Sequence, residues 1–188
     1  MKPGKTAIAL FAAALLGALA WSWLAPAGLK NCPDITLLTI DGKELPLAEL
    51  RGKPLLITFW STTCPGCIRE MPDLIRLYEE LSPLGLEIIG IAMNYDKPSL
   101  VLSMRKARSI PYPVALDLMG TAAQAFGEVS VIPASFLIAP DGRIVSRKTG
   151  RINMPKWRAD ILAMLQQAGK YQNQATEFTE NTEFTEKD

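Results

Sequence analysis

The stretch FWSTTCPGCIREMP, residues 59–72, carries the strongest structural signal in the chain. Its CPGC motif, residues 64–67, follows an apolar run over 54–60 that predicts a buried strand. The motif also opens a segment over 64–81 in which apolar side chains recur at helical spacing. At the first turn of a helix, unpaired backbone N–H groups and the macrodipole stabilise a thiolate. Pro65 fits there because its missing N–H loses no partner. The motif therefore predicts a reactive cysteine at a strand–helix junction.

The two cysteines of the motif have the spacing of a redox pair. Cys67 lies one helical turn beyond Cys64 and can attack a mixed disulfide on it, so we expect Cys64 to be the nucleophile and Cys67 the resolving thiol. The alternatives are a structural disulfide and half of a metal site. Zinc requires about four ligands, and besides these two cysteines the chain has only Cys32 and no histidine. The motif favours redox chemistry without a metal or any cofactor beyond the Cys64–Cys67 disulfide, and we interpret Cys32 as an ordinary small apolar residue.

The composition excludes several classes of function. The chain has 188 residues and no histidine, which excludes a Ser-His or Cys-His catalytic pair, a His-ligated zinc and a c-type haem attachment within it. Its 20 Lys and Arg against 19 Asp and Glu give a net charge of +1. Nucleic-acid-binding proteins usually carry a marked basic excess, so we expect no nucleic-acid partner. The length predicts one domain with extensions.

The first extension, residues 1–31, is predicted to be a signal anchor. Residues 6–27 form an uncharged stretch of about 22 mostly apolar residues, enough to span roughly 30 Å of hydrocarbon as one transmembrane helix. Lysines precede this stretch, which favours a cytoplasmic N-terminus, and two tryptophans near its far end suit the membrane–water interface. The alternative is a cleaved signal peptide with a cleavage site at residues 25–27. Either interpretation places the rest of the chain on the exported side of the membrane.

Residues 32–168 are predicted to form one α/β domain. The predicted strands are 35–40, 44–47, 54–60, 86–93, 114–116, 135–138 and 144–147. The predicted helices are 64–81, 98–109, 121–126 and 154–167. Strands that alternate with helices and end in a hairpin and a helix indicate a sandwich around a mixed sheet.

The last segment, residues 169–188, is predicted to be a disordered acidic tail. It is rich in Gln, Asn, Thr and Glu, and the sequence Thr-Glu-Phe-Thr-Glu occurs twice, at 176–180 and 182–186. Two copies of five residues are too short to form a packed unit.

The domain resembles thioredoxin-like proteins of the TlpA/ResA/DsbE type. The resemblance covers residues 32–168 and is carried by residues 32–34, 50–53, 59–72, 132–138 and 141–142. It implies a thioredoxin-like sandwich with a mixed central sheet, an N-terminal hairpin and a helix–strand insertion over residues 98–116. Proteins of this type are membrane-anchored, exported thiol–disulfide oxidoreductases, and many of them serve cytochrome c maturation.

The resemblance also implies further site residues. Pro133 is expected to be a cis-proline that faces the cysteine pair, with Ile132 offering its backbone to a bound substrate and Trp60 also in the substrate-binding set. Glu70 matches an acidic residue that many of these proteins have just after the motif. It follows Cys67 by three residues, shares a helix face with it, and could tune that thiol or relay its proton. The alternative for Glu70 is a solvated helix carboxylate.

Three residues depart from the pattern of these proteins. Thr63 replaces a tryptophan that is common before the first cysteine, and Val131 replaces a glycine that is common two residues before the cis-proline. Thr58 occupies the position of the buried aspartate of thioredoxin itself, which increases the interest in Glu70 as a proton acceptor.

Three hypotheses for the function follow. The first is a disulfide reductase anchored in a bacterial inner membrane, with its catalytic domain in the periplasm. It would act on disulfides of exported proteins and receive electrons from a membrane thiol donor, and its direction rests on the resemblance. The second is an oxidase or isomerase that uses the same cysteines. The third is a non-enzymatic module that binds copper(I) through Cys64, Cys67 and Met71, although a helical Met71 is expected to face the core.

Overall fold

The computed structural model of the chain describes Leu15 and residues 30–183. Apart from Leu15, the predicted anchor over residues 6–27 lies outside the described residues, as do residues 184–188. Within the described part of the chain, no helix combines the length and the apolar character needed to cross a membrane.

The strands form two sheets in the described residues. They are β1 (Thr36–Leu38), β2 (Glu44–Pro46), β3 (Leu55–Trp60), β4 (Glu87–Ala92), β5 (Val114–Leu116), β6 (Ala134–Ile138) and β7 (Ile144–Thr149). β1 and β2 pair as an antiparallel hairpin, and the other five strands form a mixed sheet in the order β5-β4-β3-β6-β7. β3, β4 and β5 are parallel, while β6 is antiparallel to β3 and β7 to β6. Every residue of β3 is buried, which explains its continuous apolar run.

Helices cover both faces of this sheet. They are α1 (Pro65–Leu81), α2 (Pro98–Ala107), α3 (Thr121–Ala125) and α4 (Met154–Glu183). One apolar cluster joins the sheet to α1, α2 and α4 and includes Leu56, Leu74, Val101 and Ile161. The opposite cluster joins the sheet to the β1–β2 hairpin and α3, and its aromatic centre contains Phe59, Phe126 and Phe136. The layered arrangement buries one stripe of each helix and both faces of the central strands.

Short backbone pairings protect the two edges of the sheet. At the β5 edge, Ile40 N donates to Val114 O at 2.8 Å, which ties the β1 end of the hairpin to the sheet. At the other edge, Ile144 N donates to Lys30 O at 2.9 Å and Cys32 N donates to Gly142 O at 2.8 Å. The edge strands therefore have fewer unpaired backbone groups open to another chain.

The predicted α/β sandwich with a mixed sheet and an N-terminal hairpin is confirmed, and the segment between β4 and β6 contributes α2, β5 and α3. One expectation is wrong: the final helix is predicted to end at residue 167, but α4 continues to Glu183. Ala, Gln, Glu and Lys in this segment are good helix formers, and extending an existing helix requires no new nucleation. The domain border at residue 168 stays a prediction.

Candidate active site

A disulfide joins Cys64 and Cys67 at the N-terminus of α1. Cys64 is the N-cap residue, with extended backbone angles, and the Cys67 N–H donates to Cys64 Sγ at 3.2 Å. Cys64 is partly exposed, whereas Cys67 is only 4% exposed. An incoming group can therefore reach Cys64 more readily than Cys67, and a helix N–H is already directed at the sulfur of Cys64.

The loop before β6 faces the disulfide across Gly66. The Ile132–Pro133 peptide bond is cis, as the resemblance implied. A Cβ atom added at Gly66 would lie 3.3 Å from Pro133 Cδ and 4.0 Å from Cys64 Sγ, so glycine here allows the proline ring to approach the cysteine loop closely. Pro133 is buried, Ile132 is half-buried and Val131 is 62% exposed.

Glu70 lies in the core, on the helical turn that follows Cys67. Its side chain is 2% exposed, and Ile152 N donates to Oε1 at 2.6 Å, while Oε2 has no hydrogen-bond partner among the described residues. Burial raises the pKa of the Glu70 carboxyl, an effect that the Ile152 hydrogen bond and the charge of Arg151 only partly oppose. The alternative of a solvated carboxylate is wrong, because Glu70 is buried.

The loop after β7 connects Glu70 to the cis-proline. Gly150 N donates to Pro133 O at 2.7 Å, and two residues later Ile152 N donates to Glu70. Arg151, between them, forms an ion pair of 3.5 Å with Asp73 of α1. The carboxylate of Glu70 thus helps to hold the loop that supports Pro133.

Trp60 does not have the position expected of a substrate contact. It is 3% exposed, at the end of the central strand, and its Nε1 has no partner among the described residues. A Cβ at Gly90 would lie 3.1 Å from Trp60 Nε1 and 3.2 Å from Tyr112 Cε2, so these rings pack together over the glycine. The structure thus places Trp60 in the packing beneath the site, and its role in substrate binding stays a prediction.

Tyr112 adds a second titratable group to this buried region. Burial raises the pKa of the Tyr112 phenol well above its usual range, and the negative charge of Glu70 contributes to the rise.

Thr58, on the central strand, is hydrogen-bonded to the neighbouring strand: Ser135 Oγ donates to Thr58 Oγ1 at 3.0 Å. The strand position that holds aspartate in thioredoxin is thus occupied here by a neutral, hydrogen-bonded hydroxyl.

The sequence did not single out two residues that shape the cysteine loop, Asp96 and Thr62. Asp96 follows β4 and is 7% exposed; its carboxylate accepts hydrogen bonds from Thr62 N at 2.5 Å and from Thr62 Oγ1 at 2.6 Å. The sequence signal that could have found Asp96 is its position just after a buried strand. The carboxyl ends of neighbouring parallel strands meet at one edge of a sheet, so such an aspartate is expected to lie near the cysteine motif.

Cys32 lies apart from the redox pair. It is a free, half-buried cysteine hydrogen-bonded through its backbone to Gly142, near the β6–β7 turn. Burial raises the pKa of its thiol to about 11, so little of it is thiolate at neutral pH. This environment supports its interpretation as a small apolar residue.

The structure does not support the copper-binding hypothesis. Met71 is 3% exposed and packs in the same apolar cluster as Leu74, so its sulfur is not offered to an ion at the surface. Among the described residues, no three His, Cys, Asp or Glu side chains are grouped as metal ligands.

The family model for AhpC/TSA proteins matches residues 29–147. The chain belongs to the AhpC/TSA family. It is similar to the thiol–disulfide oxidoreductase ResA of Halalkalibacterium halodurans, with 35% identity over 128 residues, 68% of this chain and 70% of the relative. It is also similar to ResA of Bacillus cereus, with 34% identity over 122 residues, 64% of this chain and 69% of the relative.

A solved structure has the same fold. A thiol:disulfide interchange protein of the thioredoxin family from Chlorobium tepidum superposes with a TM-score of 0.66 and 27% identity, covering 75% of this chain and 99% of the other. This AhpC/TSA protein is thus a thiol–disulfide oxidoreductase of the ResA type with a thioredoxin-like fold and a Cys64–Cys67 redox pair.

Proposed function

We propose that this protein reduces disulfide bonds in exported proteins. The observation that carries the proposal is the Cys64–Cys67 disulfide at a helix N-terminus, with a partly exposed Cys64, a buried Cys67 and Pro133 across Gly66. The reducing direction rests on the sequence resemblance to TlpA/ResA/DsbE-type proteins.

The reaction begins with both cysteines reduced. The Cys64 thiolate attacks one sulfur of a substrate disulfide, forms a mixed disulfide and releases the other substrate sulfur as a thiolate, which takes up a proton. Cys67 then loses its proton and attacks Cys64 Sγ, and the second substrate sulfur leaves and is protonated. The substrate gains two electrons and two protons, and the enzyme is left as the Cys64–Cys67 disulfide.

Glu70 is proposed to accept the proton of Cys67 during the second attack. It lies one turn further along α1, its Oε2 has no other partner among the described residues, and its pKa is raised by burial. A carboxyl with a raised pKa is a better base for a buried thiol than an ordinary surface carboxylate.

The substrate is proposed to lie against the loop before β6. The Pro133 ring lines this side of the cysteine loop, and Ile132 offers its backbone to an extended segment of the substrate. Val131, 62% exposed, would contact the substrate beside it. The glycine common at this position would leave a wider groove than valine does.

The protein is proposed to act outside the cytoplasm. The uncharged stretch over residues 6–27 supports an anchor in a bacterial inner membrane, with the catalytic domain in the periplasm. The oxidised enzyme then requires a membrane thiol donor to regenerate the Cys64 and Cys67 thiols. Its substrates include proteins whose disulfides are reduced during cytochrome c maturation.

Trapping of mixed disulfides in cells tests this proposal. With Cys67→Ser the second attack is blocked, so we expect covalent complexes with exported proteins that disappear on treatment with a reductant. Cys64→Ser is the matched control, because the buried Cys67 should not capture substrates. Absence of complexes with Cys67→Ser, or equal amounts with both variants, would contradict the assigned roles.

A further inference from the structure

Asp96 holds the segment that precedes the nucleophile. One carboxylate oxygen accepts the Thr62 backbone N–H at 2.5 Å and the other accepts the Thr62 hydroxyl at 2.6 Å. The aspartate itself is held in place, because its N–H donates to Met93 O at 3.0 Å and Met93 N donates to Trp60 O at 3.0 Å. The loop after β4 is thereby fastened to the loop after β3.

The other side-chain hydrogen bonds of residues 61–63 come from within the segment 61–64. Ser61 Oγ and Thr63 Oγ1 are hydrogen-bonded at 3.0 Å, and Thr63 N donates to Ser61 Oγ at 3.2 Å. Cys64 N donates to Ser61 O, also at 3.2 Å. Among the described residues, Asp96 is the side chain outside the loop that hydrogen-bonds residues 61–63.

The position of Cys64 depends on this segment. Cys64 is the N-cap of α1, and the Cys67 N–H reaches its sulfur only while Cys64 keeps its extended backbone angles. If residues 61–63 move, the sulfur leaves the N–H groups that stabilise its thiolate.

We propose that Asp96 is a positioning residue for Cys64. By holding Thr62 through two hydrogen bonds, it keeps the Cys64 sulfur at the helix N-terminus in the reactive thiolate state. The inference deepens the proposed function, since it concerns the same nucleophile, but it does not depend on the direction of electron flow or on the substrate.

An ionised Asp96 would oppose the reaction instead of assisting it. Its carboxylate binds Thr62, two residues before Cys64, and a negative charge there disfavours the Cys64 thiolate. A role through charge would therefore make Cys64 less reactive, and a role through position makes it more reactive. Removal of the Asp96 side chain should therefore raise the reactivity of Cys64 if Asp96 acts through its charge, and lower it if Asp96 acts through position.

The test is the rate at which iodoacetamide alkylates Cys64 in the reduced, full-length protein, with Cys64 identified by peptide mass. We expect Asp96→Ala to slow this reaction about tenfold, because Thr62 loses both of its hydrogen bonds. Asp96→Asn should react at least as fast as the parent, since its amide oxygen still accepts the Thr62 N–H and the opposing negative charge is removed. Thr62→Val removes only the hydroxyl and should give a smaller decrease.

Asp117 provides a matched control. It is 4% exposed and accepts two hydrogen bonds, from Ala122 N at 2.9 Å and Ala123 N at 2.8 Å, but these lie in the first turn of α3, and its side chain makes no hydrogen bond to residues 61–64. Asp117→Ala should lower stability and leave the alkylation rate of Cys64 unchanged.

Three results would overturn the proposal. Asp96→Ala could alkylate at the parent rate, it could alkylate faster, as a role through charge requires, or Asp117→Ala could slow the reaction equally. If Asp96→Ala does not fold, Thr62→Val decides: a slower reaction supports the positioning role, and an unchanged rate refutes it.

Discussion

At the scale of single residues, Glu70 combines a carboxyl group with an apolar environment. Its pKa is raised from the ordinary value of 4.5, chiefly by burial, so the folded protein binds this proton more tightly than the unfolded chain does. Stability therefore falls as the pH rises above about 4.5, where the unfolded carboxyl ionises first. This loss of stability is complete once the Glu70 carboxyl of the folded protein has also ionised, and it persists at higher pH.

Glu70→Gln removes this titration while keeping an oxygen for the Ile152 N–H. We expect urea unfolding of the oxidised proteins to show similar stabilities below pH 4.5 and a variant that becomes more stable than the parent as the pH rises. A difference between the two proteins that stays constant with pH would show that the carboxyl is not buried with a raised pKa. Oxidised protein is used so that Cys64 and Cys67 do not titrate.

The Glu70 environment could not be obtained from the sequence. Helical spacing placed Glu70 near Cys67, but the Ile152 N–H that binds its carboxylate comes from a loop distant in sequence. Asp96 was missed for the same reason, because its contact with Thr62 joins two loops that only the folded sheet brings together. The cysteines themselves were predictable, since their reactivity depends on the local strand–helix junction.

At the scale of secondary structure, α4 divides into an anchored and a polar part. Trp157 is 4% exposed and Ile161 is fully buried in the cluster shared with the sheet, whereas the helix continues through a segment rich in Gln, Glu and Thr. The contacts that hold α4 to the domain are thus expected in its first turns.

Deletion of residues 170–188 tests this division. We expect it to change the free energy of unfolding by less than about 0.5 kcal/mol, as is usual for surface changes. Ile161→Ala, which removes a buried side chain from the same helix, should lose about 2–5 kcal/mol. Denaturant titrations monitored by tryptophan fluorescence make the comparison, and a deletion as costly as Ile161→Ala would show that the end of α4 packs on the domain.

The elements with a strong apolar pattern were predicted well, whereas the end of α4, which lacks such a pattern, was not. β5 has the predicted bounds, and α1 begins one residue after the predicted position because Cys64 is its cap. The extension of α4 was missed because its residues lack an apolar stripe, so the periodicity that predicts a helix ends before it.

At the scale of the whole molecule, strand direction assembles the site. β3 and β4 are parallel, so their carboxyl ends bring the Cys64 loop and the Asp96 loop to the same edge of the sheet. β6 is antiparallel to β3, so its beginning brings Pro133 to that edge as well. A mixed sheet thus collects residues from three distant parts of the chain around one disulfide, which a purely local pattern does not predict.

The reduction potential of the Cys64–Cys67 pair tests the central claim most directly. The purified protein is equilibrated in defined redox buffers, and the two cysteines are followed by the mass added on alkylation, with the poorly reactive Cys32 resolved by peptide mapping. A reductase of exported proteins predicts a potential near or below about −230 mV. A potential near −120 mV would contradict the account and identify the protein as an oxidant.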